Sequence, residues 1–439
     1  MAQRAEAQRQ LGGLDVGAVV VGAIVGVGIF FAPATLARDL PSPSWMLGVW
    51  GLGGLVTLLG ALVLADLGGR MPQAGGLYVF LREGYGERRG PLVAFLYGWA
   101  NLLIVQPGAL AIIALVLVAN LEVLVGELPR AAQSGLGIAA IAGFSATNIL
   151  GLKTGAGVQR TLTAAKVLIL VALIGLGAAF GQAGFEALPQ GGSDSEPWAA
   201  LVAAGLIPVM FSFGGWQHGT WIGGVVKDPV RAIPRGILGG VIVVIAAYMA
   251  VNLAYLALLG QGGMQASQAL AAEAGAVALG DAAGTVLAVA VVISAAGVLN
   301  TICLAFPWVI YAMSRDGVFV EAAGRLHPRA NTPAFAIGLQ GVLGSAAVFL
   351  GIERIDAMLA GLAFAEWGFY ALIAVAYLWM RKEPGPEGGF SAPGWAAGGF
   401  ALVAIGIVIG ALVVKPVESA VGVGVLVAGL VVWRLRPAR

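Results

Sequence analysis

The sequence predicts an all-α membrane protein of twelve transmembrane helices, and three observations carry that prediction. Apolar residues make up 59% of the chain and charged residues only 10%. An ordinary soluble domain is about a quarter charged, so there is too little polar side chain here to wet a surface. The mean hydropathy is +0.92. At about 20 residues per spanning helix, 439 residues allow on the order of a dozen passes and leave nothing for a separate soluble domain. Most enzymes, nucleic-acid binders and secreted scaffolds are thereby excluded.

Apolar runs between polar or Pro/Gly-rich breaks place the spans, in order, at about 15–37, 45–67, 92–125, 133–151, 159–181, 197–223, 233–260, 283–313, 332–351, 356–380, 395–414 and 416–434. The first run, from Val16, follows Arg4 and Arg9. Ala32-Pro33-Ala34 faintly imitates a signal-peptide cleavage site, but the glycine motif inside this run argues for a retained span. Arg70, Arg82, Arg88 and Arg89 separate spans 2 and 3, and Lys153 and Arg160 separate spans 4 and 5. Lys227, Arg231 and Arg235 lie between spans 6 and 7; Arg315, Arg325 and Arg329 follow span 8; Arg381 and Lys382 follow span 10. Spans 3, 6 and 8 are long for a bilayer of about 30 Å, which predicts tilt or a break.

Twelve spans put both termini on one side. With the N-terminus inside, nineteen of the twenty-four Lys and Arg residues fall on cytoplasmic segments. Only Arg38, Arg130, Arg354 and Lys415 fall outside, and Lys166 lies within a span. A miscounted helix would scramble this alternation, so the split supports both the count and the direction. The expected location is the cytoplasmic membrane with both termini cytoplasmic. The single cysteine, Cys303, reads as a small core residue. Two histidines in unlike segments, His218 and His327, offer no metal site, and no cofactor is expected.

An intact helix satisfies its own backbone, and in hydrocarbon a break survives only where it lines a cavity or is buried in protein. Two candidate breaks stand out. One is Gly22-Ala23-Ile24-Val25-Gly26-Val27-Gly28-Ile29-Phe30 in span 1; the other is Phe211-Ser212-Phe213-Gly214-Gly215-Trp216 in span 6, with Pro208 ahead of it. Each glycine cluster alone reads as helix packing, as in Gly22-x-x-x-Gly26. Together they head two successive five-span sets, and an odd number of spans inverts the second set. Interrupted helices at corresponding positions of inverted halves point to a midplane transport site. Amides of a restarted half-helix attract a carboxylate, and carbonyls ending the other half attract an ammonium. An amino acid carries both.

These residues resemble the amino acid-polyamine-organocation (APC) transporters, particularly their L-type amino acid transporter-like branch. Besides the two breaks, the resemblance rests on Lys227-Asp228-Pro229 leading into Ala232-Ile233-Pro234-Arg235, and on Met71-Pro72-x-x-Gly75-Gly76-x-Tyr78. It also rests on Thr163-Ala164-Ala165-Lys166, Ser314-Arg315-Asp316-Gly317 and His327-Pro328-Arg329-x-x-Thr332-Pro333. It implies the leucine-transporter fold, with repeats over 1–181 and 182–381 and two peripheral spans over 382–439. It further implies that the backbone of Val25, Gly26, Val27, Gly28 and Ile29 holds the substrate carboxylate. The backbone of Phe211, Ser212, Phe213 and Gly214 would take the ammonium, with Phe211 as an outer lid. Trp216, Gln217 and His218 would border the side-chain pocket. One departure is that family members commonly carry acidic residues where this chain has Gly223-Gly224-Val225-Val226, so an inner gate must be built differently; Asp15 and Asp66 read as helix-end residues.

Two charges lie deep in spans. The resemblance implies that Lys166 projects from span 5 toward the break in span 1, standing where sodium-coupled relatives bind Na⁺, as a tether or a proton carrier; no sodium dependence is expected. Snorkelling to the surface is the alternative. Glu366 in span 10 matches no family residue and reads as a structural acid, a proton carrier or a counter-charge. Asn101, Gln106, Asn300 and Tyr370 are polar enough to reach a pocket. The expected function is sodium-independent exchange or proton-coupled transport of neutral L-amino acids by alternating access. A cationic amino acid or polyamine antiporter and a non-transporting sensor are the alternatives. The partners are a small amino acid and the bilayer, with no nucleic acid.

Overall fold

The computed structural model describes residues 8–182, 198–267, 269–351, 355–414 and 416–436. Arg4, Arg354, Lys415 and Arg439, counted in the charge split, lie outside the described residues. The described residues are mostly helical: α1 (Gly13–Ile24), α2 (Ala32–Asp39), α3 (Pro43–Arg70), α4 (Leu77–Gly84), α5 (Gly86–Ala100), α6 (Gln106–Val125), α7 (Arg130–Leu150), α8 (Leu152–Phe180), α9 (Trp198–Ser212), α10 (His218–Trp221), α11 (Pro229–Ala266), α12 (Leu270–Leu279), α13 (Ala283–Ala305), α14 (Pro307–Arg315), α15 (Ala334–Gly351), α16 (Ile355–Met380), α17 (Gly394–Val414) and α18 (Pro416–Leu435).

Among the described residues, six helical stretches are long and apolar enough to cross a membrane: Pro43–Arg70, Gly86–Val125, Leu152–Phe180, Pro229–Ala266, Ala283–Arg315 and Gly394–Val413. Shorter apolar helices cover Gly13–Ile24, Ala334–Leu350, Glu366–Met380 and Ser419–Leu435. Leu168, Val342, Phe349, Leu402 and Val413 are all exposed, a distribution that suits hydrocarbon rather than water. Conversely, Asn148, Gln159, Lys166 and Asn300 are buried. The chain is a multi-pass membrane protein.

The long stretches carry the irregularities their lengths predict. Asn101–Val105 is a single π turn between α5 and α6, ahead of Pro107. There Gln106 donates to Asn101 Oδ1 (3.0 Å), and Asn101 donates to Tyr97 O (3.0 Å). Pro307 divides α13 from α14. α11 packs along α3, α1 and α8, and α13 along α6 and α8, so α1 is enclosed by long helices. α17 and α18 lean on α16 from the side. Asp66, near the end of α3, is fully buried; it accepts from Tyr377 (2.6 Å) and the Ala392 amide (2.9 Å) and pairs with Arg70 (2.5 Å).

Two of the sequence motifs meet on the basic face. Asp316 accepts from the Tyr78 hydroxyl (2.9 Å) and pairs with Arg82 (2.5 Å). Burial, then the neighbouring Asp316 carboxylate, push the Tyr78 phenol above its ordinary value, so its O–H remains a donor at physiological pH.

Candidate functional site

The glycine-rich segments of spans 1 and 6 are where the helices stop. α1 ends at Ile24, Val25 leaves the helical region (φ −70°, ψ 80°), and the chain resumes as a tight turn at Gly28–Phe30 before α2. α9 ends at Ser212 and resumes at His218. The interruptions cross at close quarters. A Cβ on Gly28 would stand 2.9 Å from the Ser212 Cα, and one on Gly215 2.9 Å from the Ala23 carbonyl carbon. Gly215 also has φ +111°, which favours glycine. Gly26 and Gly214 differ: their nearest neighbours to such a Cβ are 3.6 and 3.3 Å away. Of the four glycines, Gly28 and Gly215 permit the crossing, while Gly26 and Gly214 have more room beside them.

The freed carbonyls of α1 have donors, as a membrane interior requires. Lys166 Nζ donates to Gly22 O and Val25 O, both at 2.7 Å. Its ammonium is therefore on the break, and it does not snorkel. Ser294 of α13 donates to Val25 O (3.1 Å) and Gly26 O (3.2 Å). Tyr248 of α11 donates to Ile24 O (2.8 Å) and lies 3.3 Å from Ser212 O, joining the two interruptions. The lysine stem passes Gly297 of α13, where a Cβ would overlap its Cε. Below it, Thr163 donates to Ala18 O (2.9 Å), and Gln159 donates to Thr163 (3.1 Å) and accepts from Asn300 (2.8 Å). Ser294, Tyr248, Gly297 and Gln159 are absent from the sequence-based site. Each sits on an intact helix with no local anomaly, apart from the small-residue run Ser294-Ala295-Ala296-Gly297.

Other backbone groups stay unsatisfied. Among the described residues, the amides of Val27, Gly28 and Ile29 have no acceptor, and the carbonyls of Phe213 and Gly214 have no donor. Three successive free amides are a group that can accept an anion. Phe211 is 44% exposed and lies 6.2 Å from Phe31, itself 46% exposed.

Trp216 is buried and stacked on Tyr370 (5.2 Å between centroids), with Phe400 edge-on. His218 is buried and stacked on Trp221 at 4.2 Å. Gln217 donates to Glu366 Oε1 (2.6 Å), and Tyr370 donates to the same oxygen (2.8 Å). Lys166 and Glu366 are thus not paired with each other. Asn300 is engaged with Gln159 and Asn148 in the chain of amides below Lys166.

At the basic end, the segment before α1 is strapped to the loop after α10. Gln10 N and Leu11 N donate to Val225 O (2.8 and 3.0 Å), Lys227 N donates to Leu11 O (2.7 Å), and Leu11 and Val226 form a parallel β-bridge. Gly223 and Gly224 explain the missing acids. A Cβ on Gly224 would lie 2.8 Å from the Ala74 amide nitrogen, and one on Gly223 3.1 Å from Gln73 O, so the 72–76 loop occupies the space.

A helical membrane protein with two crossed, interrupted helices and free backbone groups at the crossing has the architecture of a membrane carrier. The chain belongs to the amino acid permease family, whose model matches residues 11–435, and with it to the APC superfamily; it is a transporter and not an enzyme. It is 31% identical to the serine/threonine exchanger SteT of Bacillus subtilis (strain 168) over 394 residues, covering 88% of this chain and 86% of that protein. It is 30% identical to the human b(0,+)-type amino acid transporter 1 over 389 residues, covering 85% and 76%. With the human cystine/glutamate transporter it shares 26% identity over 432 residues, covering 95% and 84%.

Proposed function

We propose that the protein carries neutral L-amino acids across the cytoplasmic membrane by alternating access, without sodium, in a twelve-pass leucine-transporter fold with both termini cytoplasmic. The observation that carries this reading is that free amides at Val27, Gly28 and Ile29 and free carbonyls at Phe213 and Gly214 lie on two interruptions that cross at glycines. A zwitterion satisfies both sets, and no charged side chain is needed to bind its backbone. The repeats cover 1–181 and 182–381, with 382–439 peripheral. The names of the relatives support an amino acid as cargo, and two of them are named as exchanging or pairing amino acids. Lys166 fills the carbonyl cluster of the span 1 break with its Nζ, which supports sodium independence. It acts as a tether between α1 and α8.

Purified protein in liposomes is expected to take up labelled neutral amino acids equally in sodium and choline buffers, and faster when unlabelled amino acid is loaded inside. Uptake that requires sodium would overturn the coupling. Binding measured by thermal stabilisation without counterflow would favour a sensor.

One observation favours a second reading. Glu366 holds Gln217 and Tyr370 on one oxygen, and no described residue donates to the other. An uncompensated acid beside the break suits a cationic substrate or a proton. Glu366→Gln is expected to leave neutral-substrate exchange within about twofold of the parent, because an amide oxygen still accepts from both partners. Loss of lysine or putrescine uptake in that variant, with such uptake present in the parent, would select the cationic antiporter.

A further inference from the structure

Arg231 and Arg235, four residues apart on α11, are both exposed, and neither forms an ion pair with a described acid. They line a crevice of about 400 Å³ together with Pro234, Leu238, Gly239 and Phe390. Its far wall is the 388–390 loop, where Gly388 approaches the Arg231 guanidinium with φ +69°. Glu387, the acid preceding that loop, pairs with neither arginine.

The exposed face of α11 continues beyond the arginines through Gly239, Ile242 and Ala246, at helical spacings of four, three and four. No atom lies within 4 Å of a Cβ built on Gly239, and Ile242 is 55% exposed. The stripe therefore runs from two guanidiniums, through an open notch, onto an apolar surface. Like charges four apart on a helix repel unless an anion lies between them. Guanidiniums bind phosphate oxygens in fork geometry, and basic crevices at the membrane edge accept anionic headgroups. The apolar continuation distinguishes the occupant from a free phosphate, since only a lipid has an acyl chain to lay along it.

We propose that this crevice is a binding site for an anionic phospholipid, with Arg231 and Arg235 on its phosphate and its acyl chain passing Gly239 along α11. The protein in neutral detergent is titrated with phosphatidylglycerol, with phosphatidylcholine and with inorganic phosphate, and bound species are counted by native mass spectrometry. Phosphatidylglycerol is expected to bind in preference to phosphatidylcholine, and inorganic phosphate, lacking the acyl chain, is expected to bind more weakly and not to displace the lipid at equal concentration. Each of Arg231→Gln and Arg235→Gln should weaken phosphatidylglycerol binding about fivefold, and the double variant about thirtyfold, from ~1 kcal/mol per basic residue. Gly239→Phe, which fills the notch and keeps both charges, should also weaken it. Arg88→Gln with Arg89→Gln, exposed arginines elsewhere, should not. An unchanged preference in the double variant would overturn the site. Full competition by phosphate, or unimpaired binding in Gly239→Phe, would overturn the lipid as occupant.

Discussion

Replacing Lys166 by alanine is expected to abolish useful transport while leaving a folded protein. The ammonium is the donor to Gly22 O, and it shares Val25 O with Ser294. Its loss strands at least one carbonyl in the membrane interior, at a cost of about 1–3 kcal/mol, and opens a void beside Gly297. The break in span 1 then relaxes, and the amides of Val27, Gly28 and Ile29 lose their fixed aim. Transport should fall on the order of a hundredfold, equivalent to about 2.7 kcal/mol of misplaced binding energy. Arginine is not expected to rescue it, because the stem already touches Gly297 and a planar guanidinium needs more width. Counterflow in proteoliposomes, with expression and thermal unfolding as controls, measures this. Wild-type counterflow in Lys166→Ala would remove the lysine from the mechanism.

Gly215→Ala should be the more damaging change to folding, and Gly214→Ala, one residue away, the milder one. At Gly215 a methyl group meets the Ala23 carbonyl carbon at 2.9 Å on a backbone with φ +111°. Strain of about 1–3 kcal/mol for the conformation adds to about 1–3 kcal/mol for overpacking against main chain that cannot step aside. At Gly214 the tightest approach is 3.3 Å to Phe211 O, and φ is not in the left-handed region. Detergent-solubilised Gly215→Ala should show a clearly lower unfolding midpoint. Gly214→Ala should unfold near the parent but exchange more slowly, since its methyl borders the free carbonyls. Equal midpoints would show that the two interruptions are not locked by their crossing.

The interruptions are legible because glycine and proline punctuate an otherwise continuous apolar run, as Gly26-Val27-Gly28 and Pro208 with Gly214-Gly215 do. Lys166 is legible because a charge within an apolar span is expensive and so conspicuous. Tyr248 and Ser294 are not. A hydroxyl on an intact helix costs little anywhere, and only the tertiary fold shows that both donate to α1 carbonyls. Which glycines pack and which have room is likewise invisible in composition, since Gly28 and Gly26 differ only in what lies opposite. The π turn at Asn101–Val105 leaves just a hint, an over-long span with Pro107 near its middle.

The strap between Leu11 and Val226 is held by peptide dipoles, and none of its three bonds uses a side chain. Three such bonds contribute about 0.5–1.5 kcal/mol each, enough to hold the two segments together without freezing them. A contact made of dipoles is nearly indifferent to ionic strength and to pH, unlike the Asp15–Arg160 ion pair (3.3 Å) at the start of α1. The three bonds of the strap should therefore persist from dilute to concentrated salt. The sequence around it is also free to drift, because any residue with an N–H serves equally well. Only proline at 10, 11 or 227 removes a rung.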